Sequence, residues 1–150
     1  MIVLEILTIG GEILSGRTND TNFLYLARGL RARGLECRWH TVVGDDRETL
    51  SAALVEALAR ASIVVTTGGL GATPDDVTRK VISTALRRQL VLREDLLERI
   101  AERYARAGRS APPNLQAQAL VPFGAELIEN EVGVAPGLRL QTEEGRLLYA

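Results

Sequence analysis

The chain has 150 residues, 46% of them hydrophobic, which is about one domain with enough apolar side chains for a full core. Eighteen basic and 19 acidic residues leave a net charge of −1, and no segment carries the Lys/Arg stripe of a general nucleic-acid binder. Cys37 is the only cysteine, which excludes an internal disulfide and fits a reducing compartment.

In chain order, residues 2–9 (IVLEILTI) predict a first strand. The opening "MIVLEILTIGGE" is interrupted by Glu5 and is too short for a secretory leader. No apolar run approaches the roughly 20 residues needed to cross a bilayer. A soluble cytoplasmic protein is expected, with neither membrane nor nucleic acid among its partners. "SGRTNDTN" is a polar loop that ends in helix caps. Phe23, Leu26, Ala27 and Leu30 then fall at helical spacing, and Gly34 stops the helix. Residues 35–43 predict a second strand, and "GDD" a turn with an N-cap. Leu50, Leu54 and Leu58 mark the face of a helix over 47–60.

Ile63 to Thr66 have no polar alternation, so this third strand should be buried on both faces, central and parallel to its neighbours. Val77, Val81, Ile82, Ala85 and Leu86 line a further helix. "LVL" (90–92) reads as a strand or a linker, and 94–107 as a charged helix. "SAPPN" breaks the chain. "LQAQALV" is a short helix or turn, "AELIEN" a strand, and 137–150 a hairpin around Glu144-Gly145. Strands alternate with helices through two thirds of the chain, which argues for a parallel sheet with helices on both faces. Ligands bind at the carboxyl ends of such strands. Three polar loops collect there: 10–22, 44–46 and 67–78.

The chemistry concentrates in "TTGGLGATPDDVT" (66–78). It is no Walker A loop, because no Gly-Lys-Ser/Thr follows, and it lacks GxGxxG. Gly68, Gly69 and Gly71 allow a tight turn. The N–H groups of Gly69, Leu70 and Gly71 can cradle phosphate oxygens without a lysine. Asp75 and Asp76 would repel such a ligand unless a cation lies between. Magnesium is commonly held by one or two carboxylates together with substrate phosphates. The plainer reading is that both acids start a helix behind Pro74.

Other candidates divide the same way. Glu12 follows the first strand and can be a metal ligand or general base, or a loop carboxylate capping the helix beyond. Asp45 can touch metal or substrate hydroxyls, or cap the helix at 47–60. Capping explains at most two of Asn19, Asp20, Thr21 and Asn22, which leaves Asn22 for a ligand. Arg79 and Lys80 can meet phosphate, although at least one of them reads as a solvated helix face. His40 and Cys37 lie within a strand and read as structural.

Five segments in order resemble the amino-terminal domain family of CinA-type competence/damage-inducible proteins. This family belongs to the molybdenum-cofactor-biosynthesis-like, or molybdopterin-binding, domains. "TTGGLGATPDDVT" is similar to their TGGxGxxxxDxT signature, and "IGGEILSGRTNDTN" to their opening G-x-E-L-L-x-G with D/N-T-N. "VVGDD", "NLQAQAL" and "NEVGVAPG" are similar to the later segments. The resemblance implies a three-layer αβα sandwich, a mostly parallel sheet with a C-terminal hairpin. It also implies binding of a small phosphorylated ligand, ADP-ribose-like or molybdopterin, and a homo-oligomer.

For function it implies ADP-ribose pyrophosphatase activity helped by a divalent cation (magnesium or cobalt) and potassium. The alternatives are a non-catalytic pterin- or nucleotide-binding module, and adenylyl transfer to molybdopterin. Carried onto this chain, Asp76 and Glu12 are the expected catalytic residues and Asp76 and Asp45 the metal ligands. Gly68, Gly69, Leu70, Gly71, Thr73, Thr78, Asn22, Asp45 and Asn114 are the expected ligand contacts.

Ala72 replaces a usual proline, Gly11 a common threonine, and Ala117 a frequent lysine, so a cation is missing near the expected pyrophosphate. The resemblance also implies an L-P-G-x-P loop beyond Ala150, so a fragment is expected. A nicotinamide-mononucleotide deamidase domain often follows in such proteins. The hairpin residues Leu138, Leu140, Leu147, Leu148 and Tyr149 are the expected apolar contribution to self-association.

Overall fold

The first strand, β1 (Leu4–Ile9), is buried at every position. It owes this to its place between β2 (Cys37–Val43) and β3 (Ile63–Thr67), with both of which it pairs in parallel. The computed structural model describes residues 2–70, 77–131, 133 and 135–150. Among these residues a six-stranded sheet runs in the order β2-β1-β3-β8-β7-β6. Its later strands are β6 (Glu126–Ile128), β7 (Gly137–Gln141) and β8 (Leu147–Tyr149). β8 is parallel to β3, whereas β7 is antiparallel to both its neighbours. The apolar run at 63–66 is therefore interior to the sheet and parallel, as its composition predicts, but it is buried on one face only: Val64 and Thr66 are buried and Ile63 and Val65 half-buried, because the helices on the second face cover it less completely.

The hairpin at 137–150 forms as expected, with Gly145 in the left-handed region of its turn. Its second strand lies against β3, a pairing between residues more than 80 positions apart that no local pattern encodes. "LVL" is a strand, β4 (Leu90–Leu92). It pairs antiparallel with β5 (Leu120–Pro122) in a separate ribbon.

One face of the sheet carries Leu7, Ile9, Val64, Leu138, Leu140 and Leu148. They pack with Leu50, Leu54 and Ala57 of α3 (Arg47–Arg60), Val81 and Ile82 of α4 (Val77–Ala85), and Leu96 and Ile100 of α5 (Glu94–Arg106). Leu138, Leu140 and Leu148 are thus spent in the chain's own core, and of the hairpin residues named for self-association only Leu147 and Tyr149 stay partly exposed. On the other face α2 (Thr21–Arg31) lies against β2 without burying any residue fully. Ile63, Val65, Leu147 and Tyr149 on that face are half-buried.

Two acids start these helices. Asp20 accepts the Phe23 N–H at 2.8 Å and caps α2. Asp46 accepts the Thr49 N–H at 2.8 Å and caps α3. The cap of α3 is therefore Asp46 and not Asp45, because only the residue directly before the first helical turn can reach the free N–H groups.

β1 also carries a charge into the interior. Glu5 is 0% exposed and takes both arms of Arg60, Nε at 2.8 Å and Nη2 at 2.7 Å, with the Thr41 hydroxyl at 2.7 Å. Arg60 stacks over the Trp39 ring at 4.5 Å. His40 of β2 faces α2. Its ring stacks on Phe23 at 3.7 Å, and Nε2 lies 3.1 Å from the Thr8 hydroxyl and 3.2 Å from Asp20.

Candidate ligand groove

β3 ends in Thr67, and the chain turns at Gly68 and Gly69, whose φ angles are 92° and 67°. A Cβ on Gly68 would lie 2.0 Å from the Ile9 carbonyl oxygen, and one on Gly69 2.1 Å from the Thr78 hydroxyl. Both glycines are needed for the turn to fold down between β1 and α4. Thr78 is buried, and its hydroxyl reaches the Gly68 carbonyl at 3.4 Å. It holds the turn from behind. The N–H groups of Gly69 and Leu70 donate to no acceptor among the described residues.

The turn opens on a groove of about 520 Å³. It is also lined by Arg79 of α4, Gln118 of α6 (Leu115–Gln118), and Asn130, Gly133, Ala135, Pro136 and Gly137. Arg79 is only 6% exposed and donates to the carbonyls of Gln118 and Leu120. It is the buried member of the Arg79-Lys80 pair in this respect: its guanidinium is held inside, at the groove wall. Ala117 is exposed and does not line the groove.

The Asn130 segment holds its own shape. Asn130 Nδ2 donates to the Ala135 carbonyl at 2.8 Å, and its Oδ1 accepts the Gly133 N–H at 2.9 Å. Arg103 of α5 donates to the Asn130 carbonyl at 2.5 Å and also to that of Gly133. A guanidinium thus sits behind the loop.

A second rim adjoins the turn. Asp45 Oδ1 accepts the Gly11 N–H at 3.0 Å, at the start of α1 (Gly11–Leu14). The Glu12 carboxylate lies over Gly10, where a built Cβ would come within 2.7 Å of Oε1. Asn22 is exposed in the first turn of α2. Asn114 stands before α6 without a side-chain cap bond and outside the groove lining. The structure therefore brings Gly68, Gly69 and Leu70 to one groove, with Thr78 behind the turn and Glu12 and Asp45 on the neighbouring rim. Gly71, Thr73, Asp75 and Asp76 lie outside the described residues. No group of three His, Cys, Asp or Glu side chains forms a metal cage among the described residues.

Sequence reading missed Arg79 as a buried groove residue and did not single out Gln118, Asn130 or Arg103. The signal for Asn130 was the spaced "NEVGVAPG" segment. Nothing local marks Arg103, because its partners are 27 and 30 residues away.

Residues 5–150 match the family described as "Probable molybdopterin binding domain". A CinA-like protein of Desulfosudis oleivorans is 42% identical over 139 residues, covering 93% of this chain and 34% of that protein. One of Anaeromyxobacter dehalogenans is 41% identical over 145 residues, covering 97% and 36%. The chain spans about a third of the length of these relatives. A crystal structure of the protein CinA from Thermoplasma acidophilum, its function given as unknown, superposes with a TM-score of 0.86 at 34% identity. It covers 97% of this chain and 85% of that one. The molybdopterin biosynthesis enzyme MoaB of Thermus thermophilus shares the fold, with a TM-score of 0.61 at 20% identity over 99% of this chain and 79% of that one. With nearly all its residues matched and a CinA structure overlaid along its length, this chain belongs to the molybdopterin-binding domain family, as a CinA-like member.

Proposed function

We propose that this domain binds a phosphate-bearing nucleotide or pterin at the Gly68–Leu70 turn, and that it acts in hydrolysis of a nucleotide pyrophosphate such as ADP-ribose. The observation that carries the reading is the turn itself. It stands at the carboxyl end of the central parallel strand and carries N–H groups with no acceptor among the described residues, beside a groove lined by the buried Arg79. Oriented N–H groups and one fixed cation suit a phosphate oxyanion.

In this reading the backbone of Gly69 and Leu70 holds the phosphate and Arg79 supports the charge from below. Glu12, on the adjoining rim, takes the proton of the attacking water. The water oxygen bonds to one phosphorus as the bridging P–O bond breaks, giving AMP and ribose 5-phosphate. A divalent cation, when bound, would polarise a phosphoryl oxygen and acidify a water. The described carboxylates do not cage such an ion by themselves, so Asp45 would share it with the ligand's phosphates and with Asp76, whose role rests on the family signature.

A binding module without catalysis is the second reading, favoured by Ala117, which stands where the resembled family often carries a lysine. Calorimetric titration with ADP-ribose, with and without magnesium or cobalt, beside an AMP-release assay, separates the two. Tight, metal-enhanced binding with AMP release is expected, and Asp76→Asn should lose the enhancement and the release. Binding without release supports the module. No binding of ADP-ribose sinks the nucleotide reading.

A further inference from the structure

The loop that carries Glu12 has no anchor in the core. Between Gly11 and Asn19 no residue is fully buried, and Leu14 is 61% exposed. A segment without buried apolar contacts takes its position from its polar ties. The Glu12 carboxylate has no hydrogen bond or ion pair among the described residues, so its backbone sets where it stands. That backbone is tied on two sides. On one, the Gly10 N–H donates to the Val43 carbonyl at 2.9 Å, beside the Gly11–Asp45 bond. On the other, the Arg17 and Thr18 N–H groups both donate to the Glu12 carbonyl, at 3.0 and 3.1 Å. Just beyond Thr18 the loop closes at Asp20.

Asp20 divides its two oxygens between two tasks. Oδ1 caps α2 by accepting the Phe23 N–H. Oδ2 accepts the Thr8 hydroxyl at 2.6 Å and lies 3.2 Å from His40 Nε2. Thr8 is buried near the end of β1, where the loop begins. The bond therefore joins the two ends of the loop, and β1 and β2 hold the join together. Compact loops whose ends meet in this way are a recurring functional element.

We infer that Asp20 is a positioning residue for Glu12: its Oδ2, gripped by Thr8 and His40, closes the loop and sets Glu12 on the rim of the groove. The inference rests on the hydrolysis reading above for what Glu12 does there. None of Thr8, Asp20 and His40 lines the groove, so the join acts on activation of the water and leaves phosphate binding at Gly69 and Leu70 untouched. Glu12 takes a proton only where its carboxylate stands within hydrogen-bond reach of the water, and a loose loop lowers the time it spends there.

The two oxygens supply the test, run on the full chain. Asp20→Ser keeps one oxygen to cap α2 and loses the reach to Thr8. Thr8→Val keeps the shape of the buried side chain and removes the hydroxyl. In both variants the Arg17 and Thr18 amides should exchange with deuterium about tenfold faster, while the capped Phe23 amide keeps its protection. With ADP-ribose and magnesium, kcat for AMP release should fall about tenfold, with KM within about twofold of the parent. A residue that merely caps a helix would move the Phe23 amide and leave kcat alone. Parental exchange at Arg17 and Thr18 in both variants overturns the inference. So do unprotected Arg17 and Thr18 amides in the parent, or an unchanged kcat in both variants. Each of these leaves the hydrolysis reading standing. A parent chain that releases no AMP ends that reading, and the exchange result alone then decides whether Asp20 holds Glu12.

Discussion

Asp45 Oδ1 accepts the Gly11 N–H at 3.0 Å and so ties the exit of β2 to the exit of β1. The contact leaves Asp46 as the helix cap and gives Asp45 a structural task at the rim where a cation is proposed. The two tasks separate by charge. Asp45→Asn keeps an oxygen for Gly11 but loses the carboxylate. Its stability should stay within about 0.5 kcal/mol of the parent. The gain in ADP-ribose affinity on adding magnesium should fall, as read by calorimetric titration. An undiminished gain would leave Asp45 as a tie alone.

The glycine turn predicts an asymmetry. Gly69→Ala clashes with the Thr78 hydroxyl and also forces a side chain into positive φ, which costs about 1–2 kcal/mol by itself. Adding Thr78→Ala should recover the clash but not the backbone cost. Gly68→Ala meets the Ile9 backbone oxygen, and no side-chain change can relieve it. Denaturant melts should rank Gly68→Ala below Gly69→Ala, with rescue only of the second.

Arg103 should matter for binding more than for folding. It grips the Asn130 and Gly133 carbonyls from α5. Arg103→Met keeps the apolar stem and releases the loop. Two side-chain-to-backbone bonds at about 1 kcal/mol each set the ceiling of the effect. A drop of about 5- to 20-fold in ADP-ribose affinity is expected, with a smaller change in melting temperature. Arg103→Lys should recover part of it. Full affinity in the methionine variant would show that the loop holds itself through Asn130.

Asp20 makes an acid-sensitive latch. Burial works to raise its pKa, but the Thr8 hydroxyl, the Phe23 N–H and His40 together outweigh it and hold the carboxyl below the ordinary 3.8. A carboxyl lowered in the folded state stabilises fully above its unfolded pKa, and that contribution is lost as pH falls through the folded value. Asp20→Asn should cost about 0.5–1.5 kcal/mol at neutral pH. The gap to the parent should close as pH drops from about 4 downwards. Thermal melts across that range check it, and a gap that widens in acid would overturn it.

Glu5 and Arg60 give a second ordering. Glu5→Gln neutralises the buried partner while Arg60 keeps some access to water, and about 2 kcal/mol is expected. Arg60→Met strands a fully buried carboxylate, so it should cost more. Urea melts decide the order.

Most of the frame was legible locally. The unbroken Ile63–Thr66 run marked an interior parallel strand, and apolar spacing placed α3, α4 and α5, because both signals depend on neighbours a few residues apart. The glycine turn was legible for the same reason, since positive φ and close approach select glycine wherever the chain must fold so tightly. The five ordered segments also marked the family. Relations between distant residues were settled only once the chain had packed. Packing placed β8 beside β3 and put three hairpin leucines in the core rather than at a surface. It set Arg79, on the helix after the turn, in the groove wall and left Ala117 outside that wall. It left the Gln118 Nε2 buried with no partner among the described residues. A side chain's burial and hydrogen-bond satisfaction depend on what the chain packs against it from afar, and no local window of sequence contains that information.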